Sequence, residues 1–327
     1  MVATTAHRAL SAGSGAERRR SRGLHALVGR AISIDPRETE LAVRGFAPCP
    51  PAVRAALEEH GRSFVHGFNS ATRARRQDEL DASLEAVAAP ERGFAFEGAA
   101  MGLALLDLLL PRRRARLAAF LRGPAQPHVY MAHVGAGWAL ARLRRRPSRR
   151  LGLDPLLGWL AFDGYGFHEA FFHPPRAVRD GLRPRRLSGY DLRVFDQGLG
   201  RALWFVETAD PDRIAATVGS FAPERRADVW SGVGLAATYA GATDEDGLRR
   251  LLGLAWPFRP HLAQGAAFAA KARLRAGNAV PHVERACAVL CECGAVEAAA
   301  VTDRALAAAG GSYERWRAEI RAAFGAA

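Results

Sequence analysis

The sequence predicts an all-α protein: a superhelix of about seven helix-pair repeats with a period like that of tetratricopeptide repeats, or alternatively a closed α/α toroid. Three observations carry this. First, a glycine is followed four residues later by a small residue seven times, at Gly67/Ala71, Gly98/Gly102, Gly135/Ala139, Gly166/Ala170, Gly198/Ala202, Gly232/Ala236 and Gly265/Ala269. These glycines stand 31, 37, 31, 32, 34 and 33 residues apart, a spacing typical of stacked supersecondary units. Second, positions i and i+4 share a helix face, so each pair makes a flat stripe for a neighbouring helix, and that packing need explains a helix glycine costing about 1 kcal/mol against alanine. Third, strand signals are sparse: there is no Asn-Gly hairpin turn and no run of alternating β-branched residues.

Taken in order, residues 1–45 read as a basic, disordered tail, with residues 1–30 rich in Ala, Ser, Gly and Arg and free of periodicity. The stiff Phe46-Ala-Pro-Cys-Pro-Pro51 opens the repeat domain, 46–327. Met101–Leu110 is apolar, ends at Pro111 and reads as a buried helix, too short for a membrane span. One period holds two helices and two turns, as in Asp212–Ser220 followed by Pro223–Tyr239, with Gly241 as the stop. Asp210-Pro211-Asp212, Ala222-Pro223-Glu224 and Thr243-Asp244-Glu245 mark helix starts. About fourteen helices follow, and amphipathic Ser312–Ala323 is expected to cap the stack.

The formal charge of +13 does not imply nucleic acid. Of 46 basic residues 45 are arginine, and Lys271 is the sole lysine, as in a high-GC coding background. The arginine clusters at 112–116, 142–150 and 183–186 fall between the glycine pairs, where arginine complements helix C-termini, and no nucleic-acid module is recognisable. No secretory h-region follows the N-terminal arginines, so a cytoplasmic location is expected. Cys287, Cys291 and Cys293 lack a second cluster to complete four metal ligands and read as small apolar residues.

Candidate chemistry follows from the phase of the repeat. The residues preceding the glycines are His66, Glu97, Val134 (with His133 before it), Tyr165, Gln197, Ser231 and Gln264. Equivalent positions of stacked helices line one surface, so these polar groups are expected to face a common wall or cavity. Aromatic residues accompany them, among them Phe96, Trp138, Trp204 and Trp230, which suits an apolar small-molecule site. Asp163 and Asp196 occupy matching places in FDGYGFHEAFF and FDQGLGRALWF and join Tyr165 as binding candidates. Proton transfer falls to Glu97, His133, His168 or Lys271, with Glu97 foremost because burial in an apolar helix raises a carboxyl pKa. His168 and His173 flank Glu169, but they are five apart with Pro174 behind them, and no metal is expected there. No dinucleotide fingerprint, P-loop or GxSxG elbow is present, so no cofactor is expected either.

The phrases ERGFAFEGAAMGLALLDLL, HVYMAHVGAGWALARL, DGYGFHEAFF, FDQGLGRALWFVETADP, DVWSGVGLAATYAGA and LAQGAAFAAKARLRAG, spread over roughly residues 45–310, resemble an uncharacterised actinobacterial family, a domain of unknown function. The resemblance implies a place in specialised-metabolite clusters, notably those of enediyne polyketides. It implies an apolar polyene or polyketide as ligand and assigns no catalytic residue. Two functions are compatible with it: an acid–base enzyme acting on a polyene-derived intermediate without a cofactor, or a non-catalytic repeat protein that binds a pathway enzyme or sequesters the product.

Overall fold

The structure, a computed structural model, describes residues 23–110, 115–146 and 151–325, and these are helical with no strand. After α1 (residues 23–32) come α2 (Pro51–Arg73), α3 (Gln77–Glu85), α4 (Arg92–Leu109), α5 (Arg116–Arg122), α6 (Val129–Arg142), α7 (Leu160–Phe172) and α8 (Tyr190–Val206). The chain continues through α9 (Pro211–Ser220), α10 (Pro223–Ala240), α11 (Glu245–Leu254), α12 (Arg259–Arg275), α13 (Pro281–Leu290), α14 (Ala295–Ala308) and α15 (Tyr313–Gly325). The start signals act as read: Asp210 accepts from the amides of Asp212 and Arg213, and Asp244 from that of Gly247, satisfying otherwise orphaned donors. Gly241, at φ 67°, ends α10.

The helices carrying the glycine pairs pack in sequence, α2 on α4, then α6, α7, α8, α10 and α12, with α14 following. Gly98 lies against Phe64 and Phe68, and Gly102 against Phe68, Ala71 and Thr72, so neighbours advance in step and run parallel. The closeness depends on the absent side chain. A Cβ on Gly135 would sit 2.0 Å from the Glu97 carbonyl oxygen, and one on Gly198 1.8 Å from that of Asp163. Such approach permits Cα–H···O contacts and needs glycine at each crossing.

The ladder also obeys a rule not visible in the i, i+4 pairing. In four helices two glycines stand two apart, and they face opposite neighbours. Gly135 abuts Glu97 of the preceding helix and Gly137 abuts Ala161 of the following one. Gly164 and Gly166 meet Val134 and Phe195; Gly198 and Gly200 meet Asp163 and Val229; Gly232 and Gly234 meet Gln197 and Leu262. Two residues are 200° of helix rotation, so one such pair serves both sides.

Two expectations are corrected. Residues 23–45 are not a tail: α1 and a short turn (Pro36–Thr39) pack onto α2, where Asn69 exchanges two hydrogen bonds with the Ile34 backbone. Residues 1–22 lie outside the described part. Nor is every ladder helix followed by an outer helix. The returns over 143–159 and 173–189 carry only short turns among the described residues, because Pro155 and then Pro174, Pro175 and Pro184 interrupt them. No helix among the described residues is long and apolar enough to cross a membrane.

Candidate functional site

The opposite-facing glycines reset the register of the wall. The glycine matching Gly98, Gly135, Gly198, Gly232 and Gly265 in α7 is Gly164, not Gly166, because each of these faces the preceding helix. The equivalent row is therefore Glu97, Val134, Asp163, Gln197, Ser231 and Gln264. These side chains are buried, and the polar members after Glu97 form a chain. Gln197 Nε2 donates to Asp163 Oδ2 at 2.7 Å, and Ser231 Oγ lies 3.2 Å from Gln197 Oε1 and 3.0 Å from Gln264 Oε1. Arg317 of α15 donates to that same Gln264 oxygen and closes the row.

One turn further along the helices lie Trp138, Phe167, Arg201 and Leu235, and two turns along lie Phe171, Phe205 and Tyr239. With Glu97, His60, Phe64 and Phe94 they surround an apolar chamber roofed by Ile34, Glu38, Thr39 and Leu41. Its free space is about 70 Å³. Phe64 packs on Trp138 at 4.5 Å between centroids, and Trp138 on Phe167 at 4.8 Å. His60 stacks on Phe94 and contacts Glu91 and the Ala240 carbonyl.

Glu97 is the carboxyl of this chamber. Trp138 Nε1 donates to its Oε1 at 2.9 Å, and Arg201 stands 3.8 Å away. Arg201 is committed elsewhere, its Nη1 lying 2.5 Å from Asp163 Oδ1. Burial raises the Glu97 pKa to about 7; Arg201 and the Trp138 hydrogen bond oppose the rise and the Asp163 charge adds to it. One guanidinium thus serves two carboxyls, and the more weakly paired one holds a proton near neutrality.

The remaining candidates sit elsewhere. His66 is exposed and turned to Ser83, because the slip of two residues that misplaced α7 applies to α2 as well: Gly67 faces the following helix, and the wall position is Phe64. Tyr165 fails for the same reason and lines a second space, described below. His133 bonds the Val129 carbonyl and accepts from the Asp154 amide, which fixes the return after α6 and keeps it from Glu97. Phe96 stacks on Phe120 and His128 on the outer side. Asp196 is held by Arg225 and Arg183 and is not part of the row. Trp204 donates to the Gly241 carbonyl, and Trp230 is buried in the core without lining the chamber. Lys271 pairs with Asp303 at 2.6 Å, although its side chain borders a small cavity shared with Asp163 and Arg201. Sequence reasoning missed Arg201, Tyr239 and His60. Arg201 follows Gln197 by four and is the one arginine of the chamber lining, a signal hidden by the chain's many arginines.

A larger space of about 1110 Å³ opens beside the chamber, where the two returns lack outer helices. It is lined by Tyr165, His168, Arg142, Arg144, Arg176 and Arg183–Arg186, and shares Ile34, Glu38 and Phe172 with the chamber. His168, Glu169 and His173 bring donor atoms within 4.8 Å of one another. The helical spacing that argued against a metal does not apply, because His173 has left the helix at φ −130°, ψ 50°. Two imidazoles and a carboxylate suit zinc or ferrous iron. Burial lowers the His168 pKa, which keeps its imidazole neutral, the form that ligates a metal, and Glu169 supplies the negative charge. The three C-terminal cysteines form no such group, and Cys291 donates to the Ala263 carbonyl.

No curated protein and no solved structure matches the chain. A family model does, across residues 24–324 and so through roof, chamber and groove alike: the chain belongs to the family described as Protein of unknown function (DUF1702).

Proposed function

We propose that the protein is an enzyme of specialised-metabolite biosynthesis, of the enediyne-polyketide type, that moves a proton on an apolar, conjugated intermediate. Its frame in this reading is a superhelix of helix-pair repeats. The observation that carries the proposal is Glu97: a carboxyl with a pKa of about 7, 2% exposed, among aromatic rings and oriented by Trp138. A carboxyl poised at working pH suits general acid–base catalysis, which typically contributes about 10²–10⁴-fold in rate. The step is redox-neutral. The Glu97 carboxylate takes a proton from a carbon activated by conjugation, and the resulting acid returns it to another carbon of the polyene, shifting a double bond or closing a ring. The surrounding ring faces exclude water and favour a flat unsaturated chain.

Replacing Glu97 by Gln keeps the shape and removes the titration. Product formation in the native host is expected to fall by at least about a hundredfold while the purified variant still melts near the wild-type temperature. Undiminished product would overturn the acid–base reading. A second reading is a non-catalytic scaffold or sequestering protein of the same pathway, and its scaffold form draws on the chamber's small free space of about 70 Å³, against the ~300–1,000 Å³ of ordinary ligand pockets. On that reading the Gln variant keeps both product and ligand binding.

A further inference from the structure

The groove beside the chamber combines three features that the chamber alone does not explain. It is spacious, about 1110 Å³. It is basic: Arg144, Arg176, Arg185 and Arg186 line it and make no side-chain hydrogen bond or ion pair with the described residues, whereas Arg183 is bound to Asp196. And it is adjacent to the apolar chamber, with Ile34, Glu38 and Phe172 as a common wall between them. Arginines elsewhere in the chain are commonly paired: Arg193 reaches Asp228, Arg225 reaches Asp196 and Arg250 reaches Asp212. Glu169 on the same wall, within the field of Arg176, offsets only part of this charge, and an added anion would bring these exposed guanidiniums together.

We propose that the groove binds the phosphate-type head of an amphiphilic ligand whose apolar tail enters the aromatic chamber. The proposal rests on the reading of the chamber given above and names the class of molecule it takes. A phosphate fits better than a carboxylate because its oxygens offer more acceptors and more charge to several planar guanidinium forks at once. The roof is placed to admit the tail. Arg44 bonds the Phe171 and Phe172 carbonyls, lies over the Phe172 ring and pairs with Glu38, so the segment over residues 34–44 closes the passage between groove and chamber. Entry of a tail requires that segment to lift.

The test compares decyl phosphate, decanoate and decanol by calorimetry on the full chain. Decyl phosphate is expected to bind at least tenfold more tightly than either of the others, and the margin to shrink as salt is raised. The triple variant Arg144→Gln, Arg185→Gln, Arg186→Gln should lose most of that margin and bind decanol as the wild type does. Equal binding of decyl phosphate and decanol, a preference for decanoate, or a margin untouched by the triple variant would each overturn the proposal. Glu97→Gln separates the two readings. If the phosphate margin persists while product formation survives Glu97→Gln, the acid–base reading falls and the head-group assignment stands; if the margin is absent, the assignment falls whatever Glu97 does.

Discussion

Glu97 is held between opposing demands, and the balance has a sign that can be measured. Its folded pKa of about 7 lies above the ordinary value of 4.5. Between those values the folded chain keeps a proton that the unfolded chain has released, so this group's contribution is fully present below pH 4.5 and is lost as pH rises through 7. The shift corresponds to roughly 3 kcal/mol. Buried histidines act in the opposite sense. Burial lowers His128, His261 and His282 to about 4, so each is expected to destabilise the fold as pH falls from about 6.5 towards 4. The raw pH profile therefore mixes two trends, and the comparison with Glu97→Gln isolates one. Denaturant unfolding at pH 5 and pH 8 should show the wild type losing about 3 kcal/mol relative to the Gln variant across that interval. Parallel profiles would mean that Glu97 is ionised throughout, and the proton carrier would have to be sought elsewhere.

At the scale of the element, the glycine pairs decide how near two helices come. A Cβ on Gly232 would lie 1.9 Å from the Gln197 carbonyl oxygen, and backbone there cannot yield. Gly232→Ala is expected to destabilise by at least about 2 kcal/mol, as overpacking of a tight core does. Gly253, in α11, has nothing within 4 Å of such an atom, and Gly253→Ala should stabilise by about 0.5–1 kcal/mol. Melting curves of the two variants that shift alike would remove the packing argument. The repeat of small residues was legible because glycine inside a helix is costly and must have a local cause. What was not legible is which neighbour each glycine faces. With Gly67 alone meeting a neighbouring ladder helix in α2 and two such glycines in α7, the choice between Gly164 and Gly166 is a rotation of 200°, and only the neighbouring backbones resolve it. That choice turned His66 and Tyr165 away from the row that holds Glu97, Gln197 and Gln264. The roof was illegible for another reason: residues 31–45 have little periodicity of their own and are ordered by Asn69, Glu58 and Arg142 of other segments.

At the scale of the molecule, the ladder bends until distant segments touch. Arg273 of α12 bonds the Pro90 carbonyl, Asn278 bonds that of Ala89, and His60 bonds that of Ala240, contacts separated by 180 residues or more. Helix α15 completes the interior from the other end. Arg317 is fully buried and reaches three helices at once, bonding Asp228 at 2.8 Å, Gln264 at 3.2 Å and Tyr190 at 3.2 Å. Burial works against its charge, and Asp228 holds the charge in place. Removing one partner of such a pair leaves the other uncompensated, at a cost of about 3–5 kcal/mol, whereas removing both can approach neutrality. Arg317→Met alone should therefore unfold at markedly lower denaturant. Asp228→Asn added to it should recover part of the loss, since Arg193, the other partner of Asp228, is 44% exposed and can turn to water. The double-mutant cycle measures this directly. Additive losses would place the stability of α15 in the packing of Tyr313 and Trp316 against Phe268, and the ion pair would then contribute little to holding the last helix on the ladder.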